Sequence, residues 1–324
     1  MQALKTRLFL AQACVLAFLL LEIAACGGSD VAAPSGVNTG APTAGLPGPA
    51  VDRSDRPLKI VVSLPIFADM ALIVGGNQVQ ITTLIPPGVD PHTYVPGDDK
   101  AEAVAAADII FYNGLNFEGP TQRFIEQHLA PRPPLIVDVV RNVPSPSTQQ
   151  PVDRPIYAKD VGDDPHLFLD LALAHVYAET ISHSMIIEDG ANTSYYDSRF
   201  QAYKRQISAL HDQIGQKIAG IPDANKSLLV TQHNSLIWFA QRYGLTVAGT
   251  LQDDGEAGLR EKLASLRPPA VFTETGFDSG VLTELANEAG VQVCNIDTDT
   301  PAGPDTGFLA MMEKTADEIA RCLA

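Results

Sequence analysis

Short apolar runs alternate with helical patterns along most of this chain, and that alternation limits its fold more than any other feature. In the first half, strands are predicted at residues 58–64, 79–85, 108–112 and 135–139, with helices between them at 66–74, 100–107 and 121–129. Strands that alternate with helices form a parallel sheet covered by helices on both faces. The first half is therefore predicted to be an α/β lobe.

The same alternation starts again after a long helical stretch. Apolar residues recur every three or four positions over residues 195–218, which predicts a helix about 36 Å long. Beyond it, strands are predicted at 227–231, 246–250, 270–273 and 291–296, with helices at 236–243, 256–265, 279–289 and 307–323. The expected fold is α/β, with two lobes, each a mainly parallel sheet flanked by helices, bridged by one long rigid helix. The predicted boundaries are 58–192 for the first lobe, 193–222 for the linking helix and 223–324 for the second lobe.

The tripeptide Asp-Pro-His occurs twice, at residues 90–92 and 164–166, in a chain with only 7 histidines. Each copy follows a turn-prone run, and proline favours extended geometry in the residue before it. Each histidine therefore lies just past a rigid corner, which is typical of a side chain that must be aimed. A third histidine, His233, follows the first predicted strand of the second lobe.

Imidazole is the commonest metal ligand in proteins, and loops on a rigid scaffold usually carry such ligands. In open α/β sheets, ligands bind beyond the carboxyl ends of the strands, and His92 follows a strand at that end. We therefore predict a metal site made of His92 and His166 from the first lobe, with His233 and an aspartate from the second. Asp297 and Asp299 both follow the last strand and are the two candidates for the aspartate.

Three imidazoles and one carboxylate form a closed set of four ligands, without the open position that catalytic zinc keeps for water. This set favours holding a metal over using it, with Zn²⁺ as the first expectation and Mn²⁺ as the next. A metal-dependent hydrolase is an alternative, because such ligands can also hold catalytic zinc. A surface adhesin that metal merely stabilises is a third hypothesis.

Five blocks of sequence, spread over about residues 58–323, carry a resemblance to a known family. They are Ile-Pro-Pro-Gly-Val-Asp-Pro-His-Thr-Tyr at 85–94, Asn-Gly-Leu-Asn-Phe-Glu at 113–118, Asp-Pro-His at 164–166, Val-Thr-Gln-His at 230–233 and Phe-Ala-Gln-Arg-Tyr-Gly-Leu at 239–245. The chain resembles the metal-binding receptors of ABC importers for zinc and manganese, the lipoproteins called cluster A-I or family 9 solute-binding proteins. The resemblance implies two lobes bridged by a rigid helix, with a metal held in the cleft and delivered to a membrane permease.

The resemblance also implies a binding protein, not an enzyme, in which three histidines contact the metal: His92, His166 and His233. Residues 298–300 resemble the family motif that carries the fourth ligand and favour Asp299, whereas a count without a gap favours Asp297. Glu118 and Glu274 each follow a predicted strand. They are expected either to accept hydrogen bonds from ligand imidazoles or to be solvated loop carboxylates.

Residues 1–25 have the organisation of a bacterial export signal. Lys5 and Arg7 supply the positive start, and the apolar stretch after them is too short to span a membrane comfortably. The small residues before Cys26 resemble a lipobox, which implies that Cys26 is lipidated, with an ordinary secretory signal as the alternative. Residues 26–57 have the composition of a flexible tether. The expected location is extracytoplasmic, anchored to the cell membrane through lipid.

The chain is acidic, with a formal net charge of −16 at pH 7, which argues against nucleic acid as a partner. The expected partners are a divalent metal ion, an ABC permease and the membrane through the lipid anchor, and the protein is expected to be a monomer. Cys294 and Cys322 are expected either to form a disulfide or to be two small buried residues. Four other histidines lie in helical patterns and are predicted to be structural or surface residues: His128, His175, His183 and His211.

Overall fold

The computed structural model describes residues 56–142, 164–301 and 307–324, which contain two four-stranded sheets. One sheet consists of β1 Leu58–Val62, β2 Val79–Thr83, β3 Ile109–Tyr112 and β4 Leu135–Asp138. The other consists of β5 Leu229–Thr231, β6 Val247–Thr250, β7 Ala270–Glu274 and β8 Gln292–Ile296. Every strand pairing is parallel. The predicted α/β fold with two parallel sheets is confirmed.

Helices connect and cover these strands. In the described residues they are α1 Pro65–Gly75, α2 Ala101–Ala105, α3 Gly119–Gln127, α4 Leu171–Glu188, α5 Thr193–Ala219, α6 Ile237–Tyr243, α7 Leu251–Leu266, α8 Gly280–Ala289 and α9 Phe308–Cys322. The longest, α5, has 27 residues, so it is about 40 Å long. It lies between the two sheets in the sequence, as the prediction of a long linking helix requires.

Both sheets have the same strand order, β2-β1-β3-β4 in the first and β6-β5-β7-β8 in the second. In each, the chain moves from an inner strand to one edge and then crosses back to the other side. In open α/β sheets, ligands bind at the carboxyl ends of the strands, where the strand order reverses. Each lobe therefore offers one such crevice, beside β1 and β5 respectively.

The linking helix is part of the core and not a free spacer. It packs against α1 and α4 of the first lobe and against α6 and α9 of the second. Its buried side chains recur at helical spacing, as predicted: Phe200, Tyr203, Ile207, Leu210, Ile214 and Ile218. They belong to one apolar cluster that includes residues of both lobes. Because buried apolar surface stabilises by roughly 25 cal/mol per Å², this shared cluster ties the lobes together.

Helix α7 begins at Leu251, earlier than the predicted start at residue 256. The hydroxyl of Thr250 accepts a hydrogen bond of 2.9 Å from the backbone nitrogen of Asp253, which caps the first turn. Gly255 then interrupts the helix with a φ of 65°. The interruption breaks the apolar period, so the sequence pattern hid the first turn.

Cys294 in β8 and Cys322 in α9 form a disulfide, which is one of the two predicted alternatives. Within the described ranges, no helix combines the length and the apolar character needed to cross a membrane. The predicted export signal at 1–25, the lipidation of Cys26 and nearly all of the predicted tether at 26–57 lie outside the described residues.

Candidate metal centre

Four of the side chains predicted as ligands come together in one group: His92, His166, His233 and Asp299. Their candidate ligand atoms all lie within 4.8 Å of one another. In the sequence, His92 follows β2, His166 follows β4, His233 follows β5 and Asp299 follows β8. His92, His233 and Asp299 therefore come from loops that follow strands of both sheets, which is where open α/β sheets bind ligands, and His166 comes from the segment before α4.

Asp299 is the side chain that all three imidazoles approach. Its Oδ2 lies 3.2 Å from Nε2 of His92 and 3.4 Å from Nε2 of His233, and its Oδ1 lies 3.3 Å from Nε2 of His166. The Nε2 atoms of His166 and His233 are 3.3 Å apart. A tetrahedral ion with bonds of about 2.0–2.1 Å separates its ligand atoms by about 3.3 Å. The spacing of these atoms therefore suits one tetrahedral ion.

Each of the three rings has its other nitrogen beside an oxygen. Nδ1 of His92 lies 2.8 Å from the backbone oxygen of Phe117. Nδ1 of His166 lies 3.0 Å from Oδ1 of Asp164, and Nδ1 of His233 lies 3.1 Å from Oε2 of Glu274. In the neutral form of the ring, an oxygen at Nδ1 favours the proton there and leaves the lone pair of Nε2 for a metal. All three imidazoles are thus oriented with Nε2 toward the same point.

The recurring Asp-Pro-His tripeptide has a local structural reason. In the first copy, Oδ1 of Asp90 accepts a hydrogen bond of 2.8 Å from the backbone nitrogen of His92. In the second, Oδ1 of Asp164 accepts one of 2.9 Å from the backbone nitrogen of His166. An aspartate that binds the backbone two residues on makes a compact turn, and the proline stiffens it. Only Asp164 also contacts its imidazole, a role that the sequence did not reveal.

Glu274 contacts a histidine of the site, whereas Glu118 binds residues outside the ligand group. Glu274 is 1% exposed and, besides its contact with the His233 ring, it accepts hydrogen bonds from the backbone nitrogen of His233 and the hydroxyls of Ser235 and Thr298. This matches the predicted acceptor role. Glu118 is also 1% exposed, but it accepts from Ser63 and from the backbone of Asn113. Neither glutamate is the solvated loop carboxylate of the alternative prediction.

Asp297 points away from the histidines. Its carboxylate lies 2.8 Å from Nζ of Lys314 and accepts a hydrogen bond of 2.5 Å from the hydroxyl of Thr275. Its backbone oxygen accepts a further bond from Thr315 in α9. These contacts fasten the turn after β8 to the last helix. Of the two aspartates that the sequence left open, Asp299 is the one that lies with the histidines.

The electrostatics of the group follow from burial and from its own charges. Burial lowers the pKa of His166, but the carboxylates of Asp164 and Asp299 outweigh it and raise that pKa to about 9. Burial also lowers the pKa of His233, and Glu274 and Asp299 raise it well above its ordinary value. Burial raises the pKa of Asp299, and the two histidines hold it well below its usual range. A metal ion therefore has to displace protons when it binds here.

Two aromatic rings that the sequence did not single out pack on the ligands. The ring of Phe117 lies 4.7 Å from that of His92 and 5.2 Å from that of His166. The ring of Phe277 lies 4.4 Å from that of His233. Apolar packing excludes water from the group and strengthens its electrostatic interactions. The His92 side chain is 28% exposed, while the Asp299 side chain is fully buried, so His92 forms the open side of the site.

Several atoms of the site lack a hydrogen bond within the described residues. They are Nε2 of His92, Nδ1 of His233 and both carboxylate oxygens of Asp299, which are buried and lack partners of good hydrogen-bond geometry. A buried polar atom without such a partner is rare in native proteins and points to an ion or a water molecule. Imidazole and carboxylate are a donor set that zinc and manganese accept. The residues present therefore fit a divalent transition metal.

The four other histidines lie apart from this group. Nδ1 of His128 is 2.9 Å from the backbone oxygen of Phe124, and Nδ1 of His211 is 3.0 Å from the hydroxyl of Tyr243. His175 and His183 lie in α4. In the part of the chain that the structure describes, the group of four residues is the one metal-ligand cluster that contains histidine.

Comparison with known proteins places these observations in a wider context. The profile of the family described as the periplasmic component A of the zinc-uptake complex matches residues 60–322. The iron ABC transporter substrate-binding lipoprotein MtsA of Streptococcus pyogenes is 28% identical over 288 residues, which cover 84% of this chain and 90% of that protein. The metal ABC transporter substrate-binding lipoprotein SloC of Streptococcus mutans is 30% identical over 292 residues, which cover 84% of this chain and 92% of that protein.

A solved structure shows the same arrangement of sheets and helices. The periplasmic zinc-binding protein TroA from Treponema pallidum superposes with a TM-score of 0.73 at 24% identity. The superposition covers 83% of this chain and 99% of that chain. At this level of identity the likeness concerns the fold, and it extends over both lobes and the helix between them.

Proposed function

We propose, from the premise that this chain belongs to the family of periplasmic zinc-uptake complex component A proteins, that it captures a divalent transition metal outside the cytoplasm for import. It then delivers the metal to an ABC permease. A component of an uptake complex binds its cargo and is not an enzyme, so the hydrolase hypothesis is not retained. The adhesin hypothesis is not retained either, because binding for import accounts for the ligand group directly.

The observation that carries this proposal is the convergence of three oriented Nε2 atoms on one buried carboxylate. The proposed ligands are His92, His166, His233 and Asp299, with Glu274 and Asp164 orienting two of the rings. Zn²⁺ is the proposed cargo because three imidazoles at tetrahedral spacing favour it, and Mn²⁺ is the next candidate because of the carboxylate. The closed set of four protein ligands suits capture followed by release to a partner.

The N-terminal region supports a place at the outer side of the membrane. We propose that residues 1–25 direct export, that Cys26 becomes the lipidated first residue and that 26–57 are a tether for a monomeric receptor. The lobes of that receptor are proposed to span 58–192 and 223–324, with 193–222 as the linking helix. The relatives MtsA and SloC are themselves named lipoproteins, which supports the anchor.

A metal titration of the full chain tests the function. The protein is stripped with a chelator and titrated calorimetrically with Zn²⁺ and then with Mn²⁺. One ion per chain is expected. Alanine at any of the three ligand histidines, or asparagine at Asp299, is expected to cost more than the 10–100-fold in affinity that is typical when a residue that orients a metal ligand is changed.

His128→Ala is the matched control. Nδ1 of His128 contacts the backbone oxygen of Phe124 at the end of α3, and the residue lies outside the ligand group. It is expected to leave zinc affinity unchanged. Asp297→Asn is expected to cost less than Asp299→Asn, because Asp297 is engaged by Lys314 and Thr275. An affinity for Zn²⁺ that is unchanged in all three histidine variants would overturn the proposed site.

A further inference from the structure

Two side chains of α6, in the second lobe, contact the segment of the first lobe that carries His166. The indole Nε1 of Trp238 donates a hydrogen bond of 3.3 Å to the backbone oxygen of Asp164. The guanidinium of Arg242 donates two hydrogen bonds, of 2.7 and 2.8 Å, to the carboxylate of Asp170. Residues four apart on a helix lie on one face. One face of α6 therefore holds this segment on both sides of His166.

The contact at Asp170 is built to fix orientation. A bidentate pair between arginine and a carboxylate sets angle as well as distance. The Asp170 side chain is 4% exposed and also caps α4, because it accepts a hydrogen bond of 2.9 Å from the backbone nitrogen of Ala172. The start of α4, and with it the end of the His166 segment, is thus fixed to the second lobe.

The first lobe holds the same segment from its own side. The side-chain nitrogen Nδ2 of Asn113, just after β3, donates a hydrogen bond of 3.1 Å to the backbone oxygen of Pro165. The ring of Phe117 packs against that of His166, which is 3% exposed. His166 is therefore a ligand of the first lobe whose position depends on contacts with both lobes.

We propose that Trp238 and Arg242 are positioning residues for His166, so that the second lobe sets the geometry of a ligand that the first lobe carries. This inference rests on the proposed function, since it concerns the affinity of the same metal site. Contacts that orient a metal ligand typically change affinity by 10–100-fold when they are removed. The Arg242–Asp170 pair is the better contact to remove by mutation, because Arg242 is partly exposed whereas Trp238 is buried in the core.

The test measures Zn²⁺ affinity and dissociation rate in the full chain. Arg242→Gln removes the charge, and Asp170→Asn removes its partner while keeping a residue that caps helices well. Each is expected to weaken Zn²⁺ binding about 10-fold or more and to speed dissociation. Arg260→Gln is the matched control, because Arg260 pairs with Glu256 and Glu288 on the exposed face of the second lobe. It is expected to change neither quantity.

A double-mutant cycle separates positioning from general support of the fold. If Arg242 acts through His166, Arg242→Gln costs affinity in the wild-type background and much less in the His166→Ala background. An equal fold-loss in both backgrounds would overturn the positioning role. Wild-type protein that binds neither Zn²⁺ nor Mn²⁺ would overturn the proposed function itself. Wild-type binding of Zn²⁺ with an unaffected Arg242→Gln variant would overturn this inference alone.

The fluorescence of Trp238 tests the same contact in metal-free protein. This residue is the only tryptophan of the chain, and it is 1% exposed. In metal-free protein, Arg242→Gln is expected to increase the quenching of its fluorescence by acrylamide, because α6 loses its second attachment to the His166 segment. Arg260→Gln is expected to leave quenching unchanged. Identical quenching in the wild type and in Arg242→Gln would contradict the proposed hold of α6 on that segment.

Discussion

Gly276 lies where the backbone of the second lobe meets the loop that carries His92. Its φ is +96°, and an added Cβ would lie 3.1 Å from the backbone nitrogen of Asp90 and 3.1 Å from the carbonyl carbon of Val89. Gly276→Ala is therefore expected to displace the His92 loop. We expect a loss of about 1–3 kcal/mol in the free energy of unfolding and weaker binding of Zn²⁺. Chemical denaturation and zinc titration measure the two effects.

Gly290→Ala is the control for backbone strain. Gly290 has a φ of +67°, and an added Cβ there meets nothing within 4 Å. The control is expected to lose stability through strain alone and to keep its affinity for Zn²⁺. If both variants bound zinc as tightly as the wild type, the contact of Gly276 with the His92 loop would have no role in the site.

Zinc affinity is expected to rise with pH up to about 9. Burial lowers the pKa of His166, and two carboxylates raise it to about 9, so below that pH a proton competes with the metal. Affinity should increase by about tenfold per pH unit for each proton released. Titration in a zinc-buffered solution between pH 6 and pH 9 measures this. Affinity that is constant over that range would exclude the protonated imidazole.

The metal-free protein is expected to show the opposite trend. A histidine with a raised pKa in the folded state stabilises the fold fully below its unfolded value near 6.5. That contribution is lost as pH rises through the folded pKa of His166, about 9. Denaturant unfolding of stripped protein should therefore show a site contribution that declines from about pH 6.5 to pH 9. His166→Ala is expected to make this decline smaller, and the raised pKa of His233 accounts for the part that remains.

At this scale the sequence predicted residue types better than it predicted contacts. The three histidines stood out because two share a stiff tripeptide and one follows a strand. The choice between Asp297 and Asp299 depended on a lysine in the last helix and a threonine after β7, which are distant in sequence. The aromatic packing of Phe117 and Phe277 left no local signal either, because such residues are most often ordinary core.

Among the helices, α1 of the first lobe caps α9 of the second. Oδ2 of Asp69 accepts a hydrogen bond of 2.9 Å from the backbone nitrogen of Phe308, the first residue of α9. Burial raises the pKa of Asp69, and this backbone bond only partly opposes it. Asp69→Ala is expected to reduce stability by about 1 kcal/mol, as the loss of a helix cap does. Thermal unfolding of the metal-free protein checks it.

Asp223→Ala serves as the surface comparison for that experiment. The Asp223 side chain is 95% exposed and pairs with Lys226. A change there is expected to stay within about 0.5 kcal/mol. Equal midpoints of thermal unfolding for the wild type and Asp69→Ala would mean that the hydrogen bond from Phe308 to Asp69 contributes nothing to stability.

The strands and helices themselves were largely predictable. The strands are short apolar runs bounded by turn residues, and the helices between them keep a clear period. What failed was the first turn of α7, where Gly255 breaks the period while Thr250 caps the helix. The contact of α6 with the His166 segment also lay beyond the sequence, because pairing between distant elements has no local pattern.

For the whole molecule, the proposed metal ion would join two lobes that α5 and the shared core already connect. A ligand that binds only the folded state stabilises it by about 4 kcal/mol at a thousandfold excess over its dissociation constant. Removal of zinc by a chelator is therefore expected to lower the melting temperature by several degrees. Calorimetric melting with and without chelator measures the shift.

His92→Ala is the companion to the chelator experiment. Without one ligand, the protein is expected to melt at the same temperature in the presence and absence of chelator. A shift as large as that of the wild type would show that the stabilising ion lies elsewhere. The two-lobed architecture was predictable because the strand and helix pattern repeats, and the resemblance implied a metal held in the cleft. The contacts between the lobes that bring the four side chains together were not predictable.

The disulfide between Cys294 and Cys322 closes a covalent ring, and Asp299 lies inside that ring. A single peptide-bond cut anywhere within it leaves both pieces joined through the sulfur atoms. The segment that carries the fourth proposed ligand therefore stays on the molecule after one proteolytic nick. Its release requires a second cut or reduction of the disulfide, and disulfides persist in the oxidising surroundings of exported proteins.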